Sequence, residues 1–186
     1  GALVLDQEDD VPPAGRGLGH RRGGRLGGDE AFADTCPALS LAGRPRPALV
    51  VLRSFGKFHG LAGLRLGFAV ALPDVVARLA GMLGPWAVSG PALEVGRRAL
   101  EDRAWAEATR PRLAAASAAL ADVLRQRGFQ VVGGSSLFQL GRHPDAAILY
   151  DRLGWAGILV RAFAERPDLL RFGLPDGPDS LARLAR

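Results

Sequence analysis

The chain has 186 residues, 48% of them hydrophobic, which is enough apolar side chain for a packed core and excludes a disordered chain. Its longest apolar runs, such as residues 48–52 and 67–72, are far too short to span a bilayer, so no membrane partner is expected. The net charge of +5 comes from arginines spread along the sequence with only 6% aromatic residues, a pattern that argues against a nucleic-acid partner and suits an anionic small substrate.

Residues 1–28 hold eight glycines, with acids gathered before arginines and neither helical nor strand periodicity. They read as an irregular, flexible arm. From residue 29 the pattern becomes regular. Residues 49–52 form a short apolar strand, the segment around Lys57 a loop, and residues 66–71 a second strand. Pro73 and Asp74 open a helix over 73–83. Residues 85–90 make a turn, and 91–127 read as a long amphipathic helical region interrupted near Pro111. Strands follow at 129–132 and 137–140, a helix at 144–153, strands at 158–161 and 169–174, and a closing helix at 178–185. Such alternation of strands and helices predicts the α/β class. Cys36 is the single cysteine, so no internal disulfide forms, which fits a reducing cytoplasm. His20, His59 and His143 are too scattered for a metal cluster, and no metal is expected.

Lys57 is the only lysine among 24 lysine and arginine residues. Arginine keeps its proton in a protein, whereas a lysine amine can be neutralised by its surroundings and attack a carbonyl to form a Schiff base. A solvated loop charge is the ordinary role of a lysine. Here the neighbours point further. Ser54 lies three residues before it, Gly60 and Gly63 follow, and Arg65 comes eight residues after. A hydroxyl donor, a guanidinium fork and glycines that leave the backbone room to turn make a loop that a phosphate can approach.

Ser54-Phe55-Gly56-Lys57 followed by Gly60-Leu61-Ala62-Gly63-Leu64-Arg65-Leu66-Gly67 resembles the pyridoxal-phosphate lysine region of the fold-type I, class I and II aminotransferases. Its wording is most similar to the threonine-phosphate decarboxylase branch, with histidinol-phosphate aminotransferases next. Asp29-Glu30-Ala31-Phe32 resembles the strand-end motif whose aspartate pairs with the pyridine nitrogen of the cofactor. The resemblance implies that Asp29 is a buried carboxylate that keeps the ring protonated as an electron sink. Phe32 stands where many of these enzymes have tyrosine. Gly157-Ile158-Leu159-Val160-Arg161 and Leu170-Arg171-Phe172-Gly173-Leu174-Pro175 resemble the segments that carry two C-terminal arginines. Arg171 would clamp a substrate carboxylate, and Arg161 would reach a substrate phosphate or share the anion. Read alone, each is a strand-end charge, although a fork-shaped donor there suits an oxyanion.

The resemblance covers residues 29–186. It implies the C-terminal part of a fold-type I pyridoxal-phosphate-dependent transferase, with residues 29–100 a remnant of the large mixed-sheet domain and residues 101–186 the small α/β domain. The implied reaction is pyridoxal-phosphate-dependent decarboxylation of L-threonine O-3-phosphate to aminopropanol phosphate for cobalamin biosynthesis, by a cytoplasmic homodimer in the intact family. Lys57 and Asp29 would be catalytic, Lys57, Asp29, Ser54 and Arg65 would hold the cofactor, and Arg161 and Arg171 would bind the substrate. A histidinol-phosphate-type aminotransferase and a non-catalytic fragment are the alternative readings. Upstream of Asp29 the family pattern stops: Arg25-Leu26-Gly27-Gly28 makes a poor buried strand, the sequence contains no asparagine, and the family's glycine-rich phosphate cradle and ring-stacking aromatic cannot be located. A reading-frame slip upstream of Asp29 would produce such a loss.

Overall fold

The computed structural model describes residues 19–22, 25–44 and 46–186. Among them the chain divides into two units, Gly1–Ala106 and Glu107–Arg186, where the sequence suggests a boundary near residue 100.

The first unit is built on a four-stranded mixed sheet in the order β1 (Gly19–Arg22), β2 (Arg25–Asp29), β3 (Leu49–Ser54), β4 (Gly67–Val70). β3 is the interior strand with the strongest apolar pattern, and its alternation buries Leu49 and Val51 almost completely. It runs parallel to β2 and antiparallel to β4. Residues 19–22 and 25–29 are therefore strands rather than the irregular arm that composition suggests; residues 1–18 of that arm lie outside the described residues. The difference has a main-chain cause. Gly27 and Gly28 have no side chain to bury and weaken a strand by themselves, but the ladder from Leu26↔Leu49 to Asp29↔Leu52 on one side and the antiparallel pairing with β1 on the other hold the backbone extended.

Two helices follow. α1 (Pro73–Leu83) has proline at its first position and stops at Gly84, whose φ of 68° a side chain would resist. α2 (Gly90–Glu101) is capped by Ser89, whose side chain accepts a hydrogen bond from the Ala92 amide at 3.4 Å. The break in the long helical region falls at Asp102, not near Pro111. Asp102 accepts a hydrogen bond from the Trp105 amide at 3.0 Å and so starts a new helix, α3 (Arg103–Gln126). Pro111 lies inside α3 on an exposed position, where water can satisfy the carbonyl that loses its amide partner.

In the second unit, β5 (Gln130–Ser135), β6 (Phe138–Arg142), β7 (Arg161–Ala162) and β8 (Leu169–Gly173) form an antiparallel sheet in the order β5-β6-β8-β7. α4 (Ala146–Trp155) lies between β6 and β7 in sequence, and α5 (Pro178–Leu184) closes the chain. Leu120 and Leu124, four residues apart on α3, pack with Phe129, Ala146, Leu170 and Phe172 in a fully buried cluster. Burial of Leu170 and Phe172 on β8 turns the intervening Arg171 to the other face of the sheet. No helix among the described residues is long and apolar enough to cross a membrane.

Candidate active site

β3 carries Ser54 to its end, and the chain then turns through residues 55–66 before returning as β4. The neck of this loop is closed by the Ser54↔Gly67 pair and by the Phe55 amide donating to Leu66 O at 3.3 Å. Inside it, the Leu61 amide donates to Phe55 O at 3.0 Å, and the Gly60 amide to Lys57 O at 3.1 Å. Gly60 has φ of 67°, a conformation that glycine takes without strain. Two aromatic residues anchor the loop. Phe55 is 2% exposed, with its ring 5.4 Å from that of Phe68, and buried Phe58 lies 5.3 Å from Trp105. Between these inward anchors Lys57 is exposed.

Ser54 and Arg65 flank the neck. Ser54 Oγ accepts a hydrogen bond from the Gly56 amide at 3.1 Å, which leaves its hydroxyl hydrogen to donate. Arg65 adopts the left-handed backbone conformation, with φ of 50°, and donates from Nη1 to Ala62 O at 3.4 Å. The residue is exposed, and a guanidinium carries five donors in a fork that suits a bidentate anion pair. An added Cβ at Gly60 or Gly63 would meet nothing within 4 Å.

The second motif begins where β2 ends. Asp29 Oδ1 accepts a hydrogen bond from the Ala31 amide at 2.9 Å, a local turn that points the strand into residues 30–48. Asp29 is exposed, not buried as the resemblance implies; the buried carboxylate is its neighbour Glu30, at 9% exposure. The reason is where the chain goes next. Residues 32–41 fold back over Glu30, whose Oε1 accepts from the Leu41 amide at 2.6 Å and Oε2 from Ser40 Oγ at 2.5 Å. Arg53, the residue before Ser54, completes the group: it donates to Glu30 Oε2 at 3.4 Å and Ser40 Oγ at 3.0 Å and pairs with Asp34. The two motifs meet at Phe32, because Lys57 Nζ lies 5.6 Å from the centre of its ring.

Arg161 and Arg171 belong to the second unit, where β7 and β8 set them directly opposite one another. Each guanidinium lies over an aromatic ring, Arg161 over Phe163 at 5.5 Å and Arg171 over Phe138 at 5.4 Å. Burial, and then the positive charge of Arg161, push the Arg171 guanidinium below its ordinary pKa. Among the described residues no group of three or more His, Cys, Asp or Glu is arranged to hold a metal ion.

The model of the family described as Aminotransferase class I and II matches residues 19–184. The chain belongs to that family. The match begins at residue 19, so the family pattern runs through β1 and β2 and does not start at Asp29 as the motifs alone suggest. Within the class I and II aminotransferase family, the chain is 51% identical over 165 residues to the threonine-phosphate decarboxylase of Pseudomonas aeruginosa, covering 88% of this chain and 50% of that protein. It is 47% identical over 173 residues to a threonine-phosphate decarboxylase from a Sinorhizobium species, covering 87% of this chain and 51% of that one. The fold matches that of histidinol-phosphate aminotransferase from Sinorhizobium meliloti, solved in complex with pyridoxal-5'-phosphate, with a TM-score of 0.76 and 22% identity over 87% of this chain and 46% of that chain. The chain spans about half the length of the curated relatives it matches.

For a member of this family, the Glu30–Arg53–Asp34–Ser40 group is the part of the site region that the motifs did not reveal. Its only sequence signal is adjacency. Glu30 follows Asp29 and Arg53 precedes Ser54, so two of its four residues sit beside a candidate cofactor contact. Charge and periodicity cannot pair residues 23 positions apart.

Proposed function

We propose that this chain carries the lysine-bearing and anion-binding parts of a pyridoxal-phosphate-dependent decarboxylase that converts threonine phosphate to aminopropanol phosphate for cobalamin biosynthesis. The observation that carries the reading is the meeting of Lys57 with Phe32, which joins the sole lysine to the turn that begins at Asp29. Similarity of about half the residues to threonine-phosphate decarboxylases supports the choice of substrate and reaction.

The residues of the first unit fit the cofactor. Ser54 and Arg65 offer a hydroxyl and a guanidinium for its phosphate on one loop, and the space beside Gly60 and Gly63 leaves room for close approach. Lys57 would hold the cofactor's carbonyl carbon, and the exposed Asp29 carboxylate would accept the pyridine N–H. When bound, pyridoxal phosphate supplies an electron sink for the pair left on the substrate as its carboxylate departs as carbon dioxide. Lys57 Nζ would then deliver a proton to the substrate carbon that carried the carboxylate. Arg171 and Arg161 would bind the substrate's carboxylate and phosphate, an assignment supported by two guanidinium forks set opposite one another in the strand register. A homodimer in the cytoplasm is the setting this reading carries, and exposed Cys36 suits a reducing compartment.

The test is chemical. After incubation with pyridoxal phosphate and borohydride reduction, peptide mapping should place a stoichiometric label on Lys57, and Lys57→Ala should lose it. Threonine phosphate should then release carbon dioxide. A label confined to another amine defeats the cofactor assignment, and conversion of the cofactor to pyridoxamine phosphate without carbon dioxide would replace decarboxylation by transamination.

A further inference from the structure

Arg53 is an unusual residue for its place. It continues the face of β3 that buries Leu49 and Val51, yet it is charged, and its side chain is only 22% exposed. A guanidinium so placed is favourable only with carboxylates in good geometry around it. Glu30 and Asp34 supply them, with side chains 10% and 15% exposed. Arg53 Nη1 reaches Glu30 Oε2 at 3.4 Å and Ser40 Oγ at 3.0 Å, while Nη2 reaches Asp34 Oδ1. The fork is planar and rigid, so the two nitrogens fix two directions at once.

Glu30 and Asp34 bracket Phe32 in the chain, two residues away on either side. Arg53 therefore grips both ends of the turn that presents Phe32 to Lys57, and Asp29 is the residue next to its first grip. The other end of the relationship is equally short, since Ser54 follows Arg53 and the Lys57 loop starts from there. One guanidinium thus ties the strand that launches the lysine loop to the turn that carries the ring.

We propose that Arg53 is a positioning residue for Lys57: through Glu30 and Asp34 it sets where Phe32, and with it the Asp29 turn, stands against the lysine amine. Its bearing on the reaction rests on the reading of Lys57 as the cofactor residue. The placement itself does not, and it is measured without pyridoxal phosphate.

Because Lys57 is the only lysine, lysine-selective ¹³C labelling of the chain gives one Hε–Cε cross-peak, displaced by the ring current of Phe32. Phe32→Leu sets the position of that peak without the ring. Arg53→Gln should move the peak to the Phe32→Leu position, whereas Arg142→Gln, at an arginine paired with Asp168 in the second unit, should leave it where it is. Where Arg53→Gln fails to fold by far-ultraviolet circular dichroism, Asp34→Ala, which removes one grip, should move the peak part of the way with the dichroism spectrum unchanged. A peak that stays in place in folded Arg53→Gln, or in Asp34→Ala, overturns the proposal, and so does a peak that Phe32→Leu does not displace. A displaced peak with no borohydride label on Lys57 upholds the positioning role and removes the proposed cofactor chemistry; a label with an unmoved peak does the reverse.

Discussion

Arg161 and Arg171 face each other across the β7–β8 pair, cation opposite cation. Like charges at directly opposed strand positions oppose pairing. Neither can relieve this by losing its proton, since a guanidinium stays charged in a protein. The Arg161 guanidinium stands over the ring of Phe163 and that of Arg171 over the ring of Phe138. An anion lying against both removes the repulsion, and the second unit should therefore be more stable with one bound.

Inorganic phosphate should raise the thermal midpoint of the chain relative to chloride at equal ionic strength. At a concentration of about 100 times its dissociation constant the linkage amounts to about 2.7 kcal/mol. Arg161→Gln and Arg171→Gln should each lose most of that rise, and Arg142→Gln should keep it, because Arg142 already pairs with Asp168. Differential scanning in the two salts decides the matter. An equal rise in all three variants would show that phosphate acts elsewhere.

Gly96 on α2 is the position where the first unit has no room. A Cβ built there would overlap Cδ2 of buried Leu66, with the Phe55 ring at 3.7 Å behind it. Leu66 follows Arg65 and its carbonyl closes the lysine loop, so the helix and the loop are packed through this glycine. Gly96→Ala should destabilise by about 1–3 kcal/mol, the usual range for overpacking. Adding Leu66→Ala should recover part of that loss rather than add to it. Urea denaturation of the two single variants and the double variant measures the coupling.

The elements were legible wherever apolar period and helix punctuation agree. Pro73 and Asp74 mark the start of α1 at the residue where it begins, and the strand at Leu49 announces itself by four consecutive apolar residues. Two features escaped for physical reasons. β2 is held by its neighbours' backbones, and Gly27 and Gly28 carry no side-chain signal of that. The helix break at Asp102 depends on one side chain capping the Trp105 amide, whereas Pro111, the stronger signal, sits where the helix tolerates it. In the site region the loop motif singled out Lys57, Ser54 and Arg65, which the structure sets along one β3–β4 connection, but burial was assigned to the wrong carboxylate. Asp29 and Glu30 are neighbours of the same chemistry, and only the fold-back of residues 32–41 decides between them. Buried Ser117 was equally silent: its hydroxyl bridges Ser135 O at 2.9 Å and Gln139 Nε2 at 2.6 Å across 18 and 22 residues.

Asp168 links the strand of Arg171 to its neighbour. Hydrogen bonding to Arg166, with a further contribution from the charge of Arg142, holds its carboxyl below the usual value. A carboxylate depressed on folding contributes stability above its unfolded pKa of about 3.9 and loses it as the pH falls through the folded value. Asp168→Asn should therefore be less stable than the parent at pH 7, and the gap should close on acidification below pH 3.9. Thermal midpoints of the two proteins across pH 2–7 test this; a gap that persists at the acid end would assign the effect to packing rather than charge.

Arg65 and Asp29 should fail in different ways if the proposed cofactor site is right. Arg65 stands exposed at the loop neck, so its proposed part is to neutralise and orient a phosphate. Removing a charged hydrogen bond costs about 1.5–3 kcal/mol, so Arg65→Gln should weaken retention of pyridoxal phosphate by about tenfold to 150-fold. Asp29, whose Oδ1 accepts from the Ala31 amide, would offer its carboxylate to the ring, not to the phosphate. Asp29→Asn keeps the shape and an acceptor oxygen but not the charge, so it should retain the cofactor to within a few-fold while decarboxylation falls by orders of magnitude. Equilibrium dialysis gives the retention, and carbon dioxide release by a family member carrying the equivalent changes gives the rate. Normal retention by Arg65→Gln, or full activity of the Asp29→Asn equivalent, would mean that the two residues have been given the wrong roles.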